Sequence, residues 1–276
     1  MSKTLQELNM SDDFLFAKVM CDAEICRLVL EKILKIKIKK VMVVNEEATI
    51  DLLLESKAVR LDVYVEDEKN TVYNIEMQQR NKEIEKRSRY YQGTMDLDMI
   101  QKGCKYRELR ESYIIFICTF DLFKQGRHLY SFQNYCEQDK NLGLKDGTHK
   151  IFLNTRGTLN DVDEEMKLFL RYVENSSDDL VEETESELLK EIHRKVKEIK
   201  SSKKLEVEYM TLLEKYEEIA EEAEERGIEK GIEKGMKALV LKMLQNGMSK
   251  ELVAKGTGIS KEQIEEWENE TKELSV

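Results

Sequence analysis

The sequence predicts an α/β fold followed by an all-α C-terminal extension, and three observations carry that expectation. Apolar residues recur at helical spacing over residues 12–34, where Phe14, Ala17, Cys21, Ile25 and Leu28 follow at three- and four-residue steps. Residues 59–78 then alternate with period two. Val59, Leu61, Val63 and Val65 interleave with Arg60, Asp62 and Tyr64, EDEKN supplies a turn, and TVYNIEMQ returns as a second strand. From residue 176 to about 226 the chain is almost all Glu, Lys, Leu, Ile and Tyr without Pro or Gly, the composition of long helices.

The remaining elements follow in order. IKKVMVV (38–44) reads as a strand, and residues 82–101 as an amphipathic helix with Ile84, Tyr91 and Met95 on one face. Lys82, Lys86 and Arg89 fall on nearly the opposite face. YIIFICTF (113–120) is a buried strand by its continuous β-branched and aromatic run. LYSFQNYC (129–136) and HKIFLN (149–154) are further strands separated by the turn-rich LGLKDGT, and a helix spans 162–174. In the tail, Gly227, Gly231 and Gly235 lie four apart on one helical face. They read equally as a close helix–helix approach in a dimer or as a low-stability joint. The last forty residues carry three short helix signals, with Ser249 as one cap and Ser260 with Gln263 as a capping box. Two of these helices, around Gly256-Thr257-Gly258, resemble a helix-turn-helix. Its second helix carries five Glu against Lys261, which disfavours DNA, so a small packing or interaction module is the better reading. The expected divisions are 1–175, a charged helical connector at 176–235, and a small helical module at 236–276.

Composition narrows the function classes. The chain has 276 residues, 41% hydrophobic and 37% charged, enough to bury a sizeable core. No apolar run is long enough for a transmembrane helix, and the N-terminus lacks an apolar signal core, so a cytoplasmic location is expected. Five widely spaced cysteines without a C-x-x-C pair argue against zinc and for free thiols. The net charge of -11 resides mainly in residues 176–276, which hold 17 Lys+Arg against 26 Asp+Glu. The near-neutral front part leaves room for a DNA-binding surface without demonstrating one.

Chemistry concentrates in residues 60–80. Glu76 and Gln78 lie two apart and project from one strand face. Asp62 joins them only in an antiparallel register in which opposing residue numbers sum to an even value. Two carboxylates held together repel and desolvate each other, so that arrangement needs a cation, and oxygen ligands suit magnesium or manganese. The competing reading is a solvated sheet face.

An Asp on one strand and Glu-x-Lys on the next resembles the catalytic signature of the PD-(D/E)XK nuclease superfamily. This chain has Asp62 and Glu76-Met77-Gln78, with Gln in the lysine position. It resembles the Rpn family of recombination-promoting nucleases and putative transposases, which commonly carry Glu-x-Gln. NMSDDFLFAKVM (9–20), RSRYYQGTMD (87–96), TFDLF (119–123) and TRGTLNDVDEEMKLFLRYV (155–173) extend the likeness. The resemblance implies a mixed-sheet core flanked by helices and a magnesium-dependent DNA endonuclease, with manganese as a substitute. It implies Asp62, Glu76 and Gln78 as catalytic residues, and Asp62, Glu76 and the Met77 carbonyl as metal ligands. An additional acid from the first helix could be Asp12, Asp13, Asp22, Glu24 or Glu31; Asp13 has a small edge because the Asp-Phe segment resembles the family's start, and Asp12 equally suits a helix N-cap. Arg80, Lys82, Lys86 and Arg89 are candidates to grip nucleic acid, and Tyr90 or Tyr91 to stack on a base. DNA is the expected substrate, and the C-terminal helices a homo-oligomer contact. The alternative is a catalytically weak nucleic-acid-binding or oligomerisation protein that retains the fold.

Overall fold

The structure, a computed structural model, describes residues 3–50, 59–100, 103–182 and 184–273. The side chains of residues 59–61, the first three of the expected alternation, lie outside what is described.

The chain starts with two helices where the periodicity suggests one, α1 (Asp13–Met20) and α2 (Ala23–Leu34). The break has a local cause. Asp22 turns extended, and its carboxylate accepts the amide N–H groups of Glu24 and Ile25, starting a new helix. The apolar stripe runs on across the break, with Phe16, Met20, Ile25, Val29 and Ile33 all buried. β1 (Val41–Ile50) begins after Lys39 and Lys40 and runs beyond the expected 44.

β2 (Val59–Asp67) and β3 (Val72–Gln78) form the expected hairpin. Asp67 organises its turn: the carboxylate accepts the N–H of Lys69 and of Thr71 and the hydroxyl of Tyr73 at 2.7 Å. Asn70 takes the left-handed conformation the turn requires, which Asn tolerates better than most residues. α3 (Ile84–Met99) then leads to β4 (Ser112–Cys118), β5 (Leu129–Phe132) and β6 (Thr148–Asn154). The expected last residue of α3, 101, lies outside the described residues.

The strands form one mixed sheet in the order β1-β2-β3-β4-β6-β5. β1 to β3 and the β5–β6 pair are antiparallel, while β3–β4 and β4–β6 are parallel. Ile84, Tyr91 and Met95 of α3 cover one face, packing with Tyr64, Val72, Ile114, Phe116, Cys118 and Phe152. α1 and α2 lie against the β1 side of the sheet. α4 (Glu164–Glu174) is capped by the Asp163 carboxylate on the Met166 amide and buries Phe169, Leu170 and Val173.

After the short α5 (Asp179–Glu182), α6 (Glu187–Ser201) packs on α1 and α2 and buries Leu188, Leu189, Ile192, Val196 and Ile199. The first compact unit therefore extends to Tyr209, past residue 175 where the composition changes. α7 (Lys203–Gln245) runs without interruption through Gly227, Gly231 and Gly235. In the second unit, from Met210, the end of α7 packs with α8 (Lys250–Thr257) and α9 (Lys261–Glu273) around Val240, Val253, Ile264 and Trp267. Ser260 accepts the Gln263 amide as expected, but the Gln263 side chain turns to Glu266, so only half of the capping box forms. No helix among the described residues is long and apolar enough to cross a membrane.

Candidate active site

The β2–β3 register has the even sum that puts Asp62 on the face of Glu76 and Gln78: Val63 faces Ile75, Tyr64 faces Asn74, and Val65 faces Tyr73. Beyond Val63–Ile75 the regular ladder stops, and side chains take over its freed amides. The Asp62 N–H donates to Glu76 Oε1 at 3.2 Å, and the Met77 N–H donates to Asp62 Oδ2 at 3.1 Å. β3 meanwhile stays paired to β4 as far as Gln78–Cys118, so a rigid strand holds Glu76 and Gln78 while β2 is free to diverge.

This face is not solvated. Asn74 is fully buried and Glu76 is 1% exposed, because α3 covers the face that simple alternation assigns to water. Burial and then the Asp62 carboxylate push the Glu76 carboxyl up to about 8. The Asp62 amide, Asn74 and the Arg87 guanidinium pull the other way without prevailing. A buried carboxylate opposite another carboxylate is an expensive arrangement that a cation relieves.

Arg87, to which the sequence assigned no role of its own, belongs to this site. Arg87 Nη1 donates to Gln78 Oε1 at 2.8 Å, and Nη2 reaches Glu76 Oε2 at 3.4 Å. Its guanidinium also donates to the Tyr91 hydroxyl at 2.6 Å and lies 5.2 Å from the Tyr91 ring centroid. The available signal was spacing: Ile84, Arg87, Tyr91 and Met95 share one stripe, and the first and last two were already assigned inward. Tyr91, expected as core or as a base-stacking group, is buried and clasps Arg87. Tyr90 is 42% exposed.

A 390 Å³ cleft opens beside Asp62, lined by Asp13, Asp62, Met77, Gln78, Arg80 and Lys82 together with Arg87 and Gln79. Asp13 arrives there as the first residue of α1, and Gln79 Nε2 ties the end of β3 to the Ser11 carbonyl just before it at 2.7 Å. Asp12 occupies the cap position of α1, but its carboxylate turns back to the Asn9 amide instead of capping the helix. Lys86 and Arg89 do not line the cleft. Both are exposed on α3, and Lys86 pairs with Glu83.

Among the described residues no three His, Cys, Asp or Glu side chains gather as a metal cluster. Two carboxylates plus a backbone oxygen would form a smaller set than that. The donor atoms are all oxygen, and a hard divalent cation could take the place of the proton that burial and Asp62 hold on Glu76.

A mixed sheet with flanking helices, and an Asp and a Glu-x-Gln meeting on adjacent central strands, define a PD-(D/E)XK-type α/β fold. A family model described as PD-(D/E)XK nuclease family transposase matches residues 11–230, and the chain belongs to that family. The match covers the Asp13 segment, the hairpin and α3, and it runs into α7. No curated protein and no solved structure matches the chain. Nucleases of this superfamily generally use divalent metal ions.

Proposed function

We propose that this protein is a magnesium-dependent DNA endonuclease that hydrolyses phosphodiester bonds in DNA recombination or transposition, with manganese as a substitute ion. The observation that carries the reading is Glu76, buried beside Asp62, which with Met77 and Gln78 lines a cleft that has three basic side chains in its wall. Asp62, Glu76 and the Met77 carbonyl hold the ion, with Asp13 as an additional acid at the mouth. When bound there, a divalent ion supplies charge that polarises the phosphodiester and makes water a stronger acid.

The chain's own groups do the rest. Gln78 is neutral, so its amide N–H groups orient the attacking water or donate to a phosphate oxygen. Arg80 and Lys82 bind the phosphate backbone at the cleft. Lys86 and Arg89 extend that basic track along the exposed side of α3. The burial of Glu76 counts against the alternative of a degenerate, solvated site. A cytoplasmic setting suits the five free thiols. The C-terminal helices serve as the homo-oligomer contact, since Ile228, Ile232 and Leu239 of α7 remain exposed.

Relaxation of supercoiled plasmid tests the assignment. The full chain should nick DNA in magnesium and stop on chelation. Failure to nick under any divalent ion would overturn the nuclease reading.

A further inference from the structure

The strongest contacts of Arg87 go to neutral partners. Gln78 Oε1 at 2.8 Å and the Tyr91 hydroxyl at 2.6 Å lie closer than the Glu76 carboxylate at 3.4 Å. The guanidinium therefore rests mainly on neutral partners, with the Glu76 carboxylate as its more distant ion pair, in a side chain only 28% exposed. A guanidinium can only donate, so the atom of Gln78 that faces it has to be the amide oxygen. The other half of the amide, its NH2 group, is then turned toward Glu76 Oε2, 3.5 Å away. Tyr91 fixes the fork from its other side, through both Nε and Nη2.

We propose that Arg87 is a positioning residue that acts through Gln78, locking its amide with the NH2 group on the Glu76 side, where its second N–H is left for the reacting phosphate, and backing that neutral donor with positive charge. The proposal rests on the nuclease reading above. Phosphodiester hydrolysis concentrates negative charge on the phosphoryl oxygens in the transition state, and preorganised donors aimed there are worth most. Gln78 alone offers a dipole whose two ends are interchangeable by a rotation of the amide. Arg87 removes that ambiguity, because the flipped amide would set NH2 against a donor-only fork. The same guanidinium places a full charge one hydrogen bond behind the amide, and its rigid plane suits the role better than a lysine ammonium. The long contact to Glu76 is the one that can be given up when a cation enters, without disturbing the short ones.

The test combines Arg87→Gln, Gln78→Lys and the double variant in the full chain. Arg87→Gln should lower kcat for plasmid cleavage in magnesium by about 10²-fold, the usual loss for one preorganised donor. DNA affinity measured in calcium should change far less than kcat. Lysine at 78 carries its own charge and needs no orienting partner, so the double variant should cleave faster than Arg87→Gln. Calorimetric titration of manganese should show Arg87→Gln binding the ion at least as tightly as the parental chain, since a competing cation is gone. Selective 15N labelling of glutamine supplies a readout apart from cleavage: the Gln78 NH2 resonances should be displaced from the position of a free glutamine amide in the parental chain and move toward it in Arg87→Gln. Parental cleavage by Arg87→Gln, or a double variant no faster than Arg87→Gln, would overturn the proposal. So would loss of manganese binding in Arg87→Gln, which would mark a merely structural role. If the parental chain cuts no DNA, the nuclease reading fails on its own, and unchanged Gln78 resonances in Arg87→Gln would still overturn the coupling.

Discussion

Glu76 sets the behaviour of the site at the scale of single residues. Its carboxyl is held up to about 8 by burial and by Asp62, against 4.5 for an ordinary glutamate. Between those values the folded chain keeps a proton that the unfolded chain has released. Raising the pH therefore favours unfolding across that window, and the trend ends above it. Melting temperatures in chelator should fall from pH 5 to pH 8, and Glu76→Gln should flatten the decline. An equal slope in both proteins would remove the burial argument. Asp62→Asn and Glu76→Gln should each reduce cleavage by more than the about 10- to 100-fold typical of groups that merely support a metal ligand. Both should leave the fold intact, because with one carboxylate removed the ion-free pair no longer has to hold a proton to avoid repulsion. The pairing of Asp62 with Glu76 was legible as a condition on register, since alternation fixes which residues share a face. Arg87 was legible only through its place on the Ile84–Tyr91–Met95 stripe, because an arginine in a charged helix otherwise looks like any solvated side chain until the helix is docked on the sheet.

At the scale of elements, local chemistry explains the departures from pattern. The apolar stripe of residues 12–34 conceals the break at Cys21–Asp22, since both helices bury the same side. Asp22 carries the signal, as a cap for Glu24 and Ile25. Asp22→Ala should cost about 1 kcal/mol by the usual loss of a helix cap. Denaturant titration would read it, and no loss would mean that packing alone sets the break. β3 departs for a different reason. Alternation marks one apolar and one polar face, which in an isolated hairpin would mean core and water. Here α3 closes over the polar face, so Asn74 and Glu76 are buried along with Tyr73, Ile75 and Met77. The same polar residues that would suit a solvated face become the interior of a site once a helix covers them.

At the scale of the molecule, composition and packing divide the chain differently. The switch to a Glu- and Lys-rich sequence at residue 176 does not end the first unit, because α6 still lays five apolar side chains against α1 and α2. Each such side chain is worth roughly 1.5–3 kcal/mol of burial. A chain ending at 175 should therefore melt less cooperatively than one ending at 209, as read by circular dichroism. Indistinguishable melts would put the boundary back at 175. Residues 210–276 hold 16 Asp+Glu against 10 Lys+Arg, so removing them should strengthen DNA binding at low ionic strength. Weaker binding on gel shift would instead give the C-terminal module a part in DNA capture. The central claim, that Asp62 and Glu76 together hold a divalent ion, is tested most directly by anomalous scattering from crystals grown with manganese. The account predicts one strong peak shared by the Asp62 and Glu76 carboxylates and lost in Asp62→Ala. A peak elsewhere, or one that persists unchanged in Asp62→Ala, would contradict it.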